Sequence, residues 1–174
     1  MIAVPGAIAG SLRAGDGALP PGFDAIIALP FGPFGIRAHD GEVQALVFLP
    51  PGTPLLDPRN ATAGAAAHAL REWIEDPDLR FPVPLARAGT PFRQRVWDAI
   101  GAIPRGHTTT YGALAAQLGS APRAVGQACG ANPFPLIVPC HRVTAAHGLG
   151  GFANARNGWL LDVKRWLLAF EAAR

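Results

Sequence analysis

Residues 109–130, TTYGALAAQLGSAPRAVGQACG, decide how the second half of the chain is read. Tyr111–Leu118 is short, apolar and free of β-branched residues, with Leu114 and Leu118 four apart on one helical face. Gly119–Ala121 supplies turn residues. Pro122 can occupy the first position of a second helix, which the composition carries to about Gly130. Two short helices joined by a glycine-containing turn predict a helix-turn-helix.

Working outward, Thr90 followed by Pro91 predicts a capped helix start, with Phe92, Val96, Ile100 and Ile103 on its apolar face and Pro104-Arg105-Gly106 as its stop. On the other side, a proline-rich loop over 133–139 and a glycine-rich loop lead to a last helix, Leu160–Ala172. Its inward face is expected to be Leu160, Val163, Leu167 and Phe170. Further upstream, Asp24–Leu29, Gly35–His39 and Val43–Leu49 read as three strands. They are separated by Phe31-Gly32-Pro33 and by Asp40-Gly41, and the Asp-Gly step is a hairpin signal. Pro50–Arg59 reads as a loop. Ala61–Glu75 reads as a helix with Leu70, Trp73 and Ile74 inward, halted by Asp76-Pro77-Asp78. Phe81–Gly89, with Pro82 and Pro84, reads as a linker, and residues 1–22 as an irregular leader. The class is therefore α+β: a small antiparallel sheet with a helix over 1–85, then an all-α domain over 86–174.

Charge follows the same division. Residues 1–86 hold five Arg and nine acids, a net of −4, whereas residues 87–174 hold nine Arg, one Lys and three acids, a net of +7. A basic half suggests a polyanionic partner, against the plainer reading of solvated arginines. No apolar run approaches the roughly 18 residues a membrane helix needs, and the N-terminus lacks a signal peptide's basic start. The two cysteines, Cys129 and Cys140, make neither a disulfide framework nor a zinc cluster. They suit a reducing cytosol, so a cytoplasmic protein without metal is expected.

Cys140 stands in Pro139-Cys140-His141-Arg142-Val143, between loop residues rather than in a periodic core segment. A buried, inert cysteine is the commoner case, and Cys129, inside a predicted helix, fits it better. A nucleophilic Cys140 must become a thiolate. His141 could take its proton directly or through a water, and Glu171 could orient the imidazole if the last helix packs there. The plainer alternative for Glu171 is an exposed acid at a helix end, where its charge is slightly unfavourable. Tyr111, the only tyrosine, is either a core aromatic or a site residue. Arg123 could meet a phosphate or enter a duplex where a base has left.

Gly89-Thr90-Pro91-Phe92, Arg123-Ala124-Val125-Gly126, Asn132-Pro133, Pro139-Cys140-His141-Arg142-Val143 and the closing Lys164-Arg165-Trp166-Leu167-Leu168-Ala169-Phe170-Glu171 resemble the O6-alkylguanine-DNA alkyltransferases, or methylated-DNA–protein-cysteine methyltransferases. The resemblance covers 89–171; residues 24–80 agree in element order alone. It implies an RNase H-like N-terminal domain, minor-groove binding to duplex DNA containing O6-alkylguanine (with O4-alkylthymine as a further substrate), base flipping, and irreversible, cofactor-free transfer to Cys140 by a monomer. It implies Cys140, His141, Glu171, Tyr111 and Asn132 as the catalytic group. It implies Arg123, Tyr111, Thr110, Ala124 and Gly126 against DNA, and Pro135, Val143, Phe152 and Ala153 around the pocket. Tyr111 would turn the target phosphate and donate to the leaving guanine, and Asn132 would brace the site loops. Some members hold zinc in the N-terminal domain; with no cysteine there, none is expected here. The segment 152–159 is longer than the family's compact turn and has Phe152 and Ala153 where tyrosine and serine are usual. It is expected to be mobile without DNA, to close over the flipped base and to bring Arg156 toward the backbone. Three rivals remain at this stage. A lesion sensor of the same fold would lack the cysteine, a regulator would want a dimer or sensor domain, and a thiol hydrolase would turn over.

Overall fold

The computed structural model describes residues 22–76 and 78–173, so the leader lies outside the described residues except for Gly22. It is a mixed α/β structure with a small antiparallel sheet and five α-helices among those residues. The chain divides into two compact units, with the division between Arg87 and Ala88.

In the first unit β1 (Ala25–Leu29), β2 (Gly32–His39) and β3 (Glu42–Phe48) form an antiparallel sheet in that order. His39 pairs with Glu42, leaving Asp40 and Gly41 as a two-residue turn at φ 52° and 79°. Both are left-handed, as the twist-compatible hairpin turn requires. The other turn is shorter than expected. Gly32 pairs with Leu29, so Gly32 and Pro33 belong to β2 and the loop is Pro30-Phe31. Pro33 is tolerated because its carbonyl, not its missing N–H, serves the ladder, accepting from Leu49 N at 3.0 Å. Phe31 is drawn inward, edge-on to Phe34 and Phe48 at 5.8 and 5.5 Å.

Helix α1 (Ala61–Glu75) has the expected bounds and buries Leu70, Trp73 and Ile74 together with small Ala63, Ala66 and Ala67. Asn60 caps it, accepting from Ala63 N at 2.8 Å, while its Nδ2 donates to Ala38 O at 2.7 Å and pins the helix start to β2. The segment read as a linker is partly sheet: Val43 N donates to Pro84 O at 2.8 Å and Ala86 N to Val43 O at 2.9 Å. This parallel bridge needs a single N–H from the segment, and Ala86, beyond both prolines, supplies it.

The second unit contains α2 (Pro91–Gly101), α3 (Tyr111–Gln117), α4 (Pro122–Gly130) and α5 (Trp159–Ala172). It is not purely helical: β4 (Thr109–Thr110) and β5 (Val143–Thr144) make a two-residue parallel pair. Strands this short leave no alternation to read. Thr90 caps α2, accepting from Arg93 N at 3.4 Å. The helix ends before Ile103, so its buried face is Val96, Trp97 and Ile100, with Phe92 half-buried. Trp97 Nε1 donates to Ala128 O at 2.9 Å and ties α2 to α4. Leu114 is buried on α3, whereas Leu118 lies past its end, half-buried. On α5 Leu161, rather than Leu160, joins Val163, Leu167 and Phe170 in the core, and two charged side chains, Lys164 and Glu171, are buried with them. Among the described residues no helix is long and apolar enough to cross a membrane.

Candidate active site

Asn132 closes the first part of the chain between α4 and β5. Asn132 Nδ2 donates to Val138 O at 2.8 Å and its Oδ1 accepts from Phe134 N at 2.9 Å, closing the proline-rich loop onto itself. The same Nδ2 lies 3.5 Å from Cys140 Sγ. Pro139 turns the chain into a single 3-10 turn, Cys140–Arg142, and Cys140 N donates back to Val138 O at 2.8 Å. Cys140 is 6% exposed. Burial pushes its thiol up, and the hydrogen bond from Asn132 and the charge of Lys164 act against that. The Cys140 sulfur thus has burial against its ionisation and two neighbouring groups in favour of it.

The next two residues bond to α5. His141 and Glu171 are each 1% exposed, and His141 Nε2 donates to Glu171 Oε1 at 2.8 Å. Arg142 grips the same carboxylate through Nε to Oε2 at 2.9 Å and Nη2 to Oε1 at 2.8 Å, and its Nη1 donates to Ile103 O at 2.6 Å. Burial acts to raise the Glu171 carboxyl, but the hydrogen bonds from His141 and Arg142 outweigh it and hold it at about 2. Burial pushes His141 down, so the ring is neutral, its Nε2–H given to the carboxylate and Nδ1 left as the basic nitrogen. Arg142 was not singled out from the sequence. The signal for it was a cation inside the cysteine motif, facing a lone acid.

Lys164 was also missed. It is the chain's single lysine, fully buried, and donates to Val143 O, Leu149 O and Gly151 O at 2.7, 2.8 and 2.9 Å. Burial lowers its pKa to about 8. A lone lysine between Val163 and Leu167, on an apolar face in a chain that otherwise uses arginine, was the available clue. Tyr111 OH donates to Gly151 O at 3.1 Å, and the Lys164 ammonium lies 5.9 Å from the tyrosine ring centroid. Burial raises the Tyr111 hydroxyl to about 12, so it stays protonated as a donor.

A cavity of about 360 Å³ opens beside Cys140. Tyr111, Arg123, Gly126, Phe152 and Ala153 of the expected residues line it with Cys140. Arg156 of the expected closing segment lines it as well, whereas His141, Glu171, Asn132, Thr110, Ala124, Pro135 and Val143 do not. Thr110 spends its hydroxyl capping α3, accepting from Ala113 N at 3.0 Å, and Ala124 is half-buried. Pro135 and Val143 are buried, the carbonyl of Val143 turned to Lys164. Cys129, expected to be simple packing, is buried and also lines the cavity; burial holds its thiol at about 12. The segment after Phe152, expected to be mobile, has bonds of its own. Phe152 N and Ala155 N exchange hydrogen bonds with each other's carbonyls at 2.9 and 2.8 Å around Ala153 and Asn154. Trp159 begins α5, half-buried.

Known proteins resemble the chain in sequence and in fold. The profile described as 6-O-methylguanine DNA methyltransferase, DNA binding domain, matches residues 91–173. A methylated-DNA–protein-cysteine methyltransferase of Salmonella typhimurium is 52% identical over 88 residues, 48% of this chain and 52% of that protein; the match thus spans about half the relative's length. A DNA base-flipping protein of Thermus thermophilus is 40% identical over 83% of this chain and 96% of its own. A methylated-DNA–protein-cysteine methyltransferase of Mycobacterium bovis is 38% identical over 83% of this chain and 89% of its own. The crystal structure of Mycobacterium tuberculosis OGT in complex with DNA matches with a TM-score of 0.65 at 35% identity, covering 84% of this chain and 90% of that one. Conserved length, profile and fold together lead to one assignment: the chain belongs to the methylated-DNA–protein-cysteine methyltransferase family.

Proposed function

We propose that this protein repairs duplex DNA by moving the alkyl group of O6-alkylguanine, and of O4-alkylthymine, onto its own Cys140, once per molecule. The observation that carries the reading is Cys140 at the cavity, with its neighbour His141 held neutral and oriented by an ionised Glu171. The thiol proton passes to His141 Nδ1, directly or through a water, and the sulfur attacks the alkyl carbon. The S–C bond forms as the C–O6 bond breaks, and the electron pair leaves on guanine. Tyr111 gives up its bond to Gly151 O and hydrogen-bonds to the departing ring; the guanine anion takes a proton from solvent as His141 releases the thiol's proton to solvent, which closes the balance. The product is a stable thioether, so no step regenerates the thiol, and no cofactor enters the balance.

In this reading α3 and α4 act as a helix-turn-helix on the minor groove, and Arg123, exposed at the start of α4, fills the stack after base flipping. Thr110, Ala124 and Gly126 lie at or near that surface, and Arg156, also exposed, approaches the backbone. Residues 1–85 form an RNase H-like domain and 86–174 the alkyltransferase domain, in a cytoplasmic monomer. The similarity to a DNA base-flipping protein supports the flipping step; the rival reading is a lesion binder of the same fold that transfers nothing. Mixing the protein with methylated duplex DNA and taking its intact mass separates the two. A gain of one methyl per molecule is expected; an unchanged mass with retained DNA binding would select the rival.

A further inference from the structure

The segment that follows Phe152 is a tight turn with one outward tie. Ala153 and Asn154 are consecutive left-handed residues, at φ 46° and 65°, closed by the paired bonds between Phe152 and Ala155. Asn154, at the tip, reaches across to α4, and its Nδ2 donates to Gly130 O at 2.8 Å. Gly130 is shaped for this contact. A Cβ there would stand 2.0 Å from Asn154 Oδ1 and 2.9 Å from its Cγ, so a side chain at 130 and the amide at 154 exclude each other. Gly130 has no left-handed φ to require glycine, which leaves the close approach of Asn154 as the reason for it.

The two ends of this bond belong to two different elements that line one cavity. Arg123, Gly126 and Gly130 line it from α4, and Phe152, Ala153 and Asn154 from the turn. A tether between two walls sets how far they part, and hence the largest group that reaches Cys140 between them.

We infer that the Asn154–Gly130 contact is a latch that sets the alkyl-size selectivity of the site, favouring methyl over bulky groups; this rests on the alkyltransferase reading above. Asn154 is a positioning residue here, acting through the width of the cavity.

The test uses Asn154→Gly, which keeps the positive φ while removing the amide, Gly130→Ala, which displaces the amide from the other side, and the double variant. Single-turnover transfer is measured by intact mass with duplexes carrying O6-methylguanine or O6-benzylguanine. Each single variant should raise the benzyl-to-methyl rate ratio about fivefold, the factor one hydrogen bond's net worth supports. The double variant should match Asn154→Gly, because the three atoms nearest a Cβ at 130 all belong to the Asn154 amide. A ratio unchanged in both single variants, or methyl and benzyl rates falling together, overturns the latch as a selectivity device. A further loss in the double variant overturns the contact as the reason for Gly130. Wild-type protein that transfers neither group overturns the alkyltransferase reading and the latch with it.

Discussion

Two loops reach the cavity, and they are held in opposite ways. The one carrying Cys140 is fixed redundantly: Asn132 closes it, Arg142 and His141 anchor it to Glu171, and Lys164 holds the carbonyl of Val143 at its exit. Most of these groups are buried. The turn at Ala153-Asn154 is joined to α4 by one exposed side-chain bond. The difference separates two tasks. Placing a sulfur against a carbon tolerates little displacement, so its frame rests on desolvated charge-assisted bonds. Choosing the size of the group needs only a wall of adjustable width. Changes to the first loop should therefore abolish or slow all transfer and lower stability, whereas changes to the second should alter ratios.

The largest effect after loss of the sulfur itself should come from Glu171→Gln. It leaves Arg142 facing a neutral amide in the interior, so a stability loss of about 3 kcal/mol is expected at neutral pH. The sign with pH follows from the depressed carboxyl. Wild-type Glu171 contributes stability above its unfolded value near 4.5, lost as pH falls to about 2. The wild-type advantage in denaturant melts should shrink across that window, and a gap independent of pH would deny the ion pair. Transfer should slow too. In the wild type it should persist somewhat below the usual histidine range and fail as His141 protonates, an inflection the glutamine variant should move.

Lys164→Met comes next. Three carbonyls lose their donor, at a cost of about 2 kcal/mol. The charge that eases ionisation of Cys140 also goes, so neutral-pH transfer should drop. That charge is present below about 8 and lost above it, so the wild-type pH–rate profile should bend near pH 8 and the methionine variant's should not. Identical profiles would make Lys164 a structural clamp alone.

Smaller, and confined to one substrate, is Arg123→Ala. Repair of a methylated duplex should fall about tenfold and depend less on salt, while reaction with free benzylguanine changes little. Equal losses on both would put Arg123 in the pocket's architecture and blur the line between chemistry and recognition.

How far this division could be read beforehand depended on whether a residue's role was local. Asp40-Gly41, the Asn60-to-Glu75 helix and Thr90-Pro91 are short-range devices, and each stands where its residue types put it. Gly32 and Pro33 were misread because glycine and proline signal a turn, while their pairing with Leu29 and Ala28 is a tertiary fact; Phe31 stands in the turn as read. The bridge at Pro84–Ala86 and the β4–β5 pair rest on partners far along the chain and carry no period. At the site, Cys140 and His141 were singled out in the cysteine motif, which also contains Arg142, and Glu171 in the closing motif, and the structure brings His141 and Glu171 together. Lys164 was not, because a lysine reads as a surface cation until three carbonyls are found around it. Asn154 and Gly130, 24 residues apart, look like ordinary turn and helix-end residues until they meet.

Cys129 and Cys140 line the same cavity, which makes the acceptor the point to test. Asn132 touches the sulfur of Cys140, while burial holds the Cys129 thiol at about 12. Peptide mapping after reaction with methylated duplex DNA decides between them, with Cys140→Ala and Cys129→Ala run beside the wild type. The account predicts the methyl on Cys140, none in Cys140→Ala, and most of the transfer kept in Cys129→Ala. A methyl on Cys129, or transfer surviving the loss of Cys140, would contradict it.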